Sequence, residues 1–293
     1  MLILGWSYLN RTVAFHFSSS KIEASDSLKV MTFNVKVFNA YEIFPKNDYS
    51  SSDEIINYII DSKVDVICLQ EFYNENKSKQ LNTLKKISKK TGMKYYFSSS
   101  MVNNVGAEFG MAIFSKLPIK DKGVITQSKK TNNQMMYLDV KTKDTTIRIY
   151  NIHLKSMSIN ENDIVEIDST SKKKVKNVYR RLKKGFIDRS VQLSLLEEHI
   201  DLCPYPVLVC GDLNDLPYGN TYQRLKSKLN NAFEDAGTGF GFTYNGKIPF
   251  LRIDNIFYDD YFIVNTYKTD VNMKQSDHFP LLAKFMIKNK KDD

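Results

Sequence analysis

From Leu28 to Val35 (LKVMTFNV) apolar and polar positions alternate and end on Asn34, which predicts a strand delivering a polar group at its C-terminal end. Ser51, Ser52, Asp53 and Glu54 are capping residues, and Ile55, Ile56, Ile59 and Ile60 behind them supply the apolar face of a helix. Val64 to Gln70 (VDVICLQ) is a short, nearly continuous apolar run, read as a buried strand, and Glu71 follows it directly. Leu81, Leu84 and Ile87 then recur at helical spacing in a lysine-rich segment. Strands are predicted at Lys94 to Ser98, Met111 to Ser115, Gln134 to Val140 and Thr145 to His153, the last two forming a hairpin around Lys143 and Asp144. A polar, basic insertion runs from about Lys155 to Lys174. The helix after it carries Val175, Val178, Leu182, Phe186, Leu193, Leu196 and Ile200 on one stripe. Strands recur at Val207 to Cys210, Arg252 to Tyr258 and Leu281 to Met286. Helices alternate with strands early and hairpins fill the middle, so the expected class is α/β (α+β), with two mixed sheets packed together and helices outside.

The polar residues that interrupt this pattern matter more than the pattern itself. Asn34, Glu71, His153, Asp212 and Asp254 each lie at the end of, or inside, an otherwise apolar strand. A carboxylate there is costly unless it is paired or bound to a cation. One such case is usually a structural pair or cap; recurrence at several strand ends implies that the strands converge on one polar cleft. Gly211-Asp212-Leu213-Asn214-Asp215 follows an apolar run, and Ser276-Asp277-His278 precedes the strand-like FPLLAKF. An adjacent Asp-His pair is a weak signal alone and a strong one in this company.

Charge adds a location. The chain carries a net +9, yet Asn76 to Met93 and Ser171 to Phe186 contain lysines and arginines with no acid and together hold +14, which leaves −5 for the rest. Two basic elements on a slightly acidic body fit an anionic partner met on particular faces; a pair of solvated helix faces is the plainer reading of either one alone. The three cysteines, Cys68, Cys203 and Cys210, have no CxxC spacing, so neither a disulfide framework nor a zinc site is indicated, and buried thiols are expected. The opening MLILGWSYLNRTVAFHF is apolar but interrupted by Asn10 and Arg11, too short to span a bilayer, which takes about 20 apolar residues. It also lacks the features of a secretory signal. It is read either as the end of a membrane helix or as an apolar arm lying on a surface, with the former preferred. The expected organisation is an arm over 1–26, one domain over 27–289 and a tail over 290–293. Membrane association through the arm is the expected location, otherwise the cytoplasm, and a monomer is the expected state.

The blocks MTFNV, ICLQE, FGMAIFSKLPI, YNIHLKS, RSVQLSLL, VCGDLND, RIDNIF and SDHFP, in that order from Leu28 to the C-terminus, resemble the endonuclease/exonuclease/phosphatase superfamily, the deoxyribonuclease I-like proteins. The resemblance implies a four-layer sandwich of two packed mixed β-sheets flanked by helices, with the cleft at one end of the sheets. It also implies a divalent-metal-dependent phosphoester hydrolase. Glu71 would be the main metal ligand with Asn34 beside it, and Asp277 would sit at the metal or a second-metal position. Asp212 would orient or deprotonate the attacking water and Asn214 would hold a phosphate oxygen. His278, oriented by Asp254, and His153 from the opposite side would contact the phosphate; whether Asp212 or the His278–Asp254 pair is the base stays open. Hard oxygen ligands suit Mg²⁺, with Mn²⁺ as a substitute, and the absence of a Cys/His cluster argues against zinc.

The histidine in NIHL sets the chain apart from abasic-site repair enzymes of this superfamily, and GTGFGFTYNGKIPFLRIDNIF is most similar to bacterial members. The substrates in view are a phospholipid head group, an inositol phosphate or a nucleic acid. An anionic membrane surface would be met through Lys172, Lys173, Lys174, Arg180 and Arg181. A DNA or RNA nuclease of the same fold is the nearest alternative, and a catalytically silent binding protein is the alternative of another class. His16 and His199 are expected on the arm and on a helix surface, Arg189 with Gln192 in a supporting role, Gly211 in a tight turn, and Met135 and Met136 in the core.

Overall fold

The computed structural model describes residues 9–16, 27–125, 133–156 and 172–288. The centre of the basic insertion, the C-terminal tail and most of the N-terminal arm lie outside them. The strands are β1 (Val13–Phe15), β2 (Ser27–Asn34), β3 (Val66–Asn74), β4 (Lys94–Val102), β5 (Glu108–Ser115), β6 (Ile119–Val124), β7 (Met135–Lys141), β8 (Thr146–His153), β9 (Val207–Asp212), β10 (Asn230–Asn231), β11 (Thr238–Phe240), β12 (Asp254–Tyr258), β13 (Phe262–Thr269) and β14 (Leu281–Ile287). The helices are α1 (Ala40–Lys46), α2 (Ser50–Asp61), α3 (Thr83–Thr91), α4 (Lys172–Asp201), α5 (Asn220–Lys226) and α6 (Ala232–Ala236).

Two six-stranded sheets form, ordered β13-β14-β2-β3-β5-β4 and β10-β12-β9-β8-β7-β6. Each is antiparallel except for one parallel pair near its middle, β2 with β3 and β8 with β9. Alternation along the strands explains how the sheets stack. Val30, Val66, Cys68, Met111 and Ile113 of the first sheet face inward and pack with Met136, Leu138, Ile149, Leu208 and Cys210 of the second. The neighbouring positions Met31, Phe33, Ile67, Leu69 and Phe114 face outward, where Ile55, Ile56 and Ile59 of α2 and Leu84 and Ile87 of α3 cover them. On the far side Tyr150, Ile152, Val207 and Val209 pack under Leu193 and Leu196 of α4 and Tyr222 and Leu225 of α5. The molecule is therefore layered helix, sheet, sheet, helix, and both faces of each central strand are buried, which is why these strands read as nearly unbroken apolar runs.

Local chemistry sets the helix ends. The Asn82 side chain caps α3, and Gly92, at φ +72°, closes it in the left-handed conformation. Helix α2 starts at Ser50, whose N–H donates to Asp48 Oδ1 at 3.0 Å, and its N-cap position is Tyr49, which makes no side-chain cap, so the Ser-Ser-Asp-Glu cluster lies within the first turn rather than capping it. Three expectations are corrected by packing. Leu81 is buried in the turn before α3 rather than on it. Phe186 lies on the predicted apolar stripe of α4 but is exposed, because the sheet supports only the C-terminal half of that helix. His199 is half-buried rather than fully exposed on its helix: its ring packs between Tyr137 and Tyr150, and Nδ1 lies 2.9 Å from Tyr150 Oη. Among the described residues no helix is long and apolar enough to cross a membrane.

Candidate active site

The two parallel strand pairs place their C-terminal ends on the same end of the sandwich. Asn34 pairs in register with Gln70 just before Glu71, and His153 pairs with Asp212, which is itself opposite Asp254. The loop before β14 adds Ser276, Asp277 and His278. A bulge in β3 between Leu69 and Phe72 turns Glu71 out of the ladder at φ +49° and into the cleft. Asn214 also sits at φ +49°, and Lys36 to Asn39 form a left-handed turn just after Asn34. Backbone strain of this kind persists only where the surroundings impose it, and here it borders the cleft.

The side chains meet closely. Asn34 Nδ2 donates to Glu71 Oε1 at 3.3 Å and to Asp212 Oδ2 at 3.4 Å. His153 Nε2 stands 3.8 Å from Glu71 Oε1 and 3.7 Å from Asp212 Oδ2. His278 donates from Nδ1 to Asp254 Oδ2 at 2.8 Å, while its Nε2 lies 3.9 Å from Asp212 Oδ2. Asn214 holds Asp212 twice, by its N–H to Oδ1 at 2.7 Å and by Nδ2 to Oδ2 at 3.3 Å, and Nδ2 also donates to the Leu154 carbonyl. The Asp277 carboxylate lies 3.4 Å from Ser276 Oγ and acts through its charge on Glu71, Lys36 and His278.

Electrostatics follow from this crowding. Burial, reinforced by the charge of Asp254, raises Asp212 to about 6, against the pull of His278, His153 and the Asn214 N–H. Burial opposes the charged form of His278, but the charge and hydrogen bond of Asp254, backed by Asp212 and Asp277, outweigh it and lift the ring to about 10. Glu71, whose side chain is 37% exposed to the cleft, is raised by burial and by Asp277 and Asp254, opposed by His278 and Asn34. Lys36 loses something to burial, but its bond to Glu42 and the charges of Asp277 and Glu71 raise it.

Supporting groups beneath the cleft were not singled out by the pattern. Gln70 donates from Nε2 to Asn151 Oδ1 at 2.6 Å, joining the two sheets directly under Glu71 and His153. Ser276 Oγ donates to the Asn34 carbonyl at 2.8 Å and accepts the His278 N–H. Thr243 Oγ1 accepts the N–H groups of Ile253 and Asp254, and the Tyr244 ring meets His278 edge to face. Gln70 and Asn151 carry the same signal as the site residues, a polar position inside an apolar strand; Ser276, Thr243 and Tyr244 carry none. Gly211 is not in a turn. It lies within β9 at φ +138°, where a Cβ would fall 2.0 Å from the Ile152 carbonyl oxygen, so its role is the close approach of β8 and β9. Arg189 is fully buried; it donates to the Lys155 carbonyl at 3.0 Å and stacks on Phe186, while Gln192 accepts the Lys155 N–H. A carbonyl and an aromatic face thus hold it, in keeping with the supporting role expected of Arg189 and Gln192.

This fold, with acids and histidines gathered at one end of two packed sheets, is that of the endonuclease/exonuclease/phosphatase proteins, and the sequence profile of the Endonuclease/Exonuclease/phosphatase family matches residues 31–278. The chain belongs to that family, whose activities are phosphoester hydrolyses. Among solved structures it is similar to a functionally unknown conserved protein from Enterococcus faecalis V583, at 18% identity over 89% of this chain and 100% of that one, TM-score 0.64. It is also similar to an endonuclease/exonuclease/phosphatase from Beutenbergia cavernae (15%, 89% and 72%, TM-score 0.66) and to the human Nocturnin catalytic domain with bound sulfate anion (18%, 91% and 95%, TM-score 0.62). Comparison with curated proteins returned no match.

Asp212, Asp254 and His278 offer ligand atoms within 4.8 Å of one another, and this buried acidic and histidine cluster fits a divalent metal site. Because His278 Nδ1 is already engaged with Asp254, the more open oxygen donor lies beside it on Glu71, while the buried Asn34 amide donates to both Glu71 and Asp212.

Proposed function

We propose that this protein is a Mg²⁺-dependent phosphoester hydrolase in which Asp212 and the His278–Asp254 pair act on either side of the reacting phosphoryl group. The observation that carries the reading is the convergence on one buried carboxylate, Asp212, of two histidines and two amides: His153, His278, Asn34 and Asn214. The donor set suits a hard cation. Glu71 and Asp212 share the Asn34 amide, and Glu71 is held above its ordinary pKa by burial and by the carboxylates around it, a surplus of negative charge that a cation relieves. Glu71, with Asn34 beside it and Asp277 at the rim, would hold Mg²⁺, with Mn²⁺ as a substitute. When bound, the ion supplies positive charge to the phosphoryl oxygens and acidifies a ligated water.

The protein's own groups do the rest. Asp212, at about 6, is ionised at neutral pH yet basic enough to take a proton from an attacking water, and Asn214 fixes the direction of its lone pairs. His278, at about 10, is an imidazolium whose Nε2–H faces the cleft, where a phosphoryl oxygen gains charge in the transition state. Asp254 keeps that ring charged and oriented. His153 approaches from the other side, between Glu71 and Asp212, where it meets a second phosphoryl oxygen or the leaving group.

The test is turnover of an aryl phosphodiester by the purified protein with Mg²⁺ and with EDTA, alongside Asp212→Asn and His278→Ala. Metal-dependent turnover that falls by about 10²-fold or more in each variant is expected. Wild-type rates in both variants refute the assignment of the site, and no metal-dependent rate in the parent refutes the reading and favours a binding protein.

A further inference from the structure

Two surface features that the hydrolase reading leaves unused flank the cleft. The first is aromatic. Strand β1 of the N-terminal arm pairs antiparallel with β11, placing Val13 opposite Phe240 and Phe15 opposite Thr238. Ala14 turns inward and is buried, so the alternation sends Phe15 and Phe240 outward, 58% and 66% exposed. Phe240 stacks on Phe242 at 5.3 Å, and Phe242 packs against Phe250, itself 70% exposed, at 5.0 Å. Phe240, Phe242 and Phe250 join in one aromatic patch with Phe15 on the same face of the ribbon, which is not a scatter of surface apolar residues and marks an interaction site. The patch borders the cleft: Thr243 and Tyr244, which follow Phe242, bond to Leu251 and touch Asp254 and His278.

The second feature is basic. Tyr150 of β8 meets His199 of α4, while Lys155, just past the cleft end of β8, meets Gln192 and Arg189. Helix α4 therefore runs antiparallel to β8, and the part before Arg189 projects past the cleft rim. From Arg189 back to Lys176 the overhang is about 20 Å. It carries exposed Lys176, Arg180, Lys183 and Lys184, in a stretch from Ser171 to Phe186 that contains no acid.

We infer that the cleft rim is a docking surface for an anionic lipid bilayer, with the Phe15–Phe240–Phe250 patch entering the interface and the α4 overhang lying on the head groups. An apolar wedge beside a cationic helix is complementary to a charged surface with hydrocarbon beneath it. The described part of the arm is tied to the domain beside the patch by the Arg11 bond to the Pro217 carbonyl and by Arg252 holding the Arg11 carbonyl. A single-stranded nucleic acid is the poorer fit: a stacking platform for bases leaves aromatic faces open between cations, whereas Phe240 stacks on Phe242, Phe242 packs on Phe250, and the main run of cations lies on α4 with a single lysine, Lys247, in the aromatic loop. Docking needs no catalysis; delivery of a head-group phosphoester to Asp212 and His278 rests on the hydrolase reading.

The experiment is co-sedimentation of the full chain with vesicles of phosphatidylcholine, with and without phosphatidylserine, and with a single-stranded oligonucleotide in parallel. Phe240→Ser with Phe250→Ser removes apolar contact and is expected to weaken binding to both vesicles by about tenfold or more. Lys183→Glu with Lys184→Glu is expected to weaken binding about tenfold or more on the phosphatidylserine vesicles alone. Turnover of the soluble aryl phosphodiester and the melting temperature stay at the parent values in both. Vesicle binding unchanged in both variants, no vesicle binding by the parent, or retention of the oligonucleotide in place of vesicles overturns the inference. Loss of binding in the variants, in a protein that turns over no soluble ester, upholds docking while removing the hydrolase reading.

Discussion

Replacing Asp254 by Asn tests the charge of the His278 pair while keeping its shape. The Asn side-chain oxygen can still accept the Nδ1–H that Asp254 Oδ2 takes at 2.8 Å, but the buried negative charge is gone. In the parent that charge is the largest influence holding His278 up at about 10, against the burial that would discharge it. Without it Asp212 and Asp277 still favour the charged ring, but the largest raising influence is gone and the pKa falls back toward its ordinary range. Exchanging a charge-assisted hydrogen bond for a neutral one costs about 1–2 kcal/mol of stability, or about 2–3 °C in melting temperature for a chain of this size. The kinetic effect is larger, because a neutral imidazole no longer offers a cationic donor to the transition state. Loss of one such donor lowers kcat by about 10²–10³-fold. The assays are steady-state hydrolysis of an aryl phosphodiester and an NMR titration of the metal-free protein. The His278 ring should stay protonated through pH 8 in the parent and titrate below pH 8 in Asp254→Asn. The linkage sign gives an independent check. A histidine raised from 6.5 to about 10 contributes stability that is complete below its unfolded pKa and is lost as pH climbs toward 10. That decline in melting temperature should be present in the parent and much reduced in the variant. Parent-like kcat, or a ring still charged at pH 8 in Asp254→Asn, refutes the reasoning.

Rate against pH should be bell-shaped, rising as Asp212 loses its proton near 6 and falling as His278 loses its own near 10; a profile unchanged in Asp212→Asn would contradict the acidic limb. Addition of Mg²⁺ at about a hundred times its dissociation constant should stabilise the protein by about 2.7 kcal/mol, and Glu71→Gln should abolish most of the rise in melting temperature; an equal rise in that variant would place the ion elsewhere. Gly211→Ala forces a Cβ against the Ile152 carbonyl at a positive φ, so chemical denaturation should show a loss of about 2–4 kcal/mol with Asp212 displaced, and parent-like stability and turnover would show that β8 and β9 do not need to approach so closely.

Much of the sandwich was legible because its strands are buried on both faces and its helices on one. MTFNV, ICLQE, YNIHL and VCGDL each announce a central strand by an apolar run and a cleft residue by the polar side chain that breaks it. The same logic was ambiguous for Gln70 and Asn151, which break their strands one or two residues earlier and bond to each other across the sheets instead of opening into the cleft. Short, polar or exposed strands such as β6, β11 and β13 carry no clean alternation, because an edge needs charge and turns more than it needs a buried face. His199 was misplaced for a related reason: helical spacing says which face a residue takes, not that Tyr137 and Tyr150 of the sheet rise to meet it.

By itself the chain determined which residues are too polar for the places they occupy, since that depends only on neighbours in sequence and the cost of burying charge. The tertiary structure alone decided how those residues act on one another. A bulge turns Glu71 into the cleft, Asp254 comes to lie 2.8 Å from a histidine 24 positions away, and Phe15 and Phe240, 225 residues apart, share one face of a two-stranded ribbon. Such distances are set by sheet register and layer packing, and the electrostatic and apolar forces that give these groups their chemistry fall off too steeply with distance to be read from order along the chain.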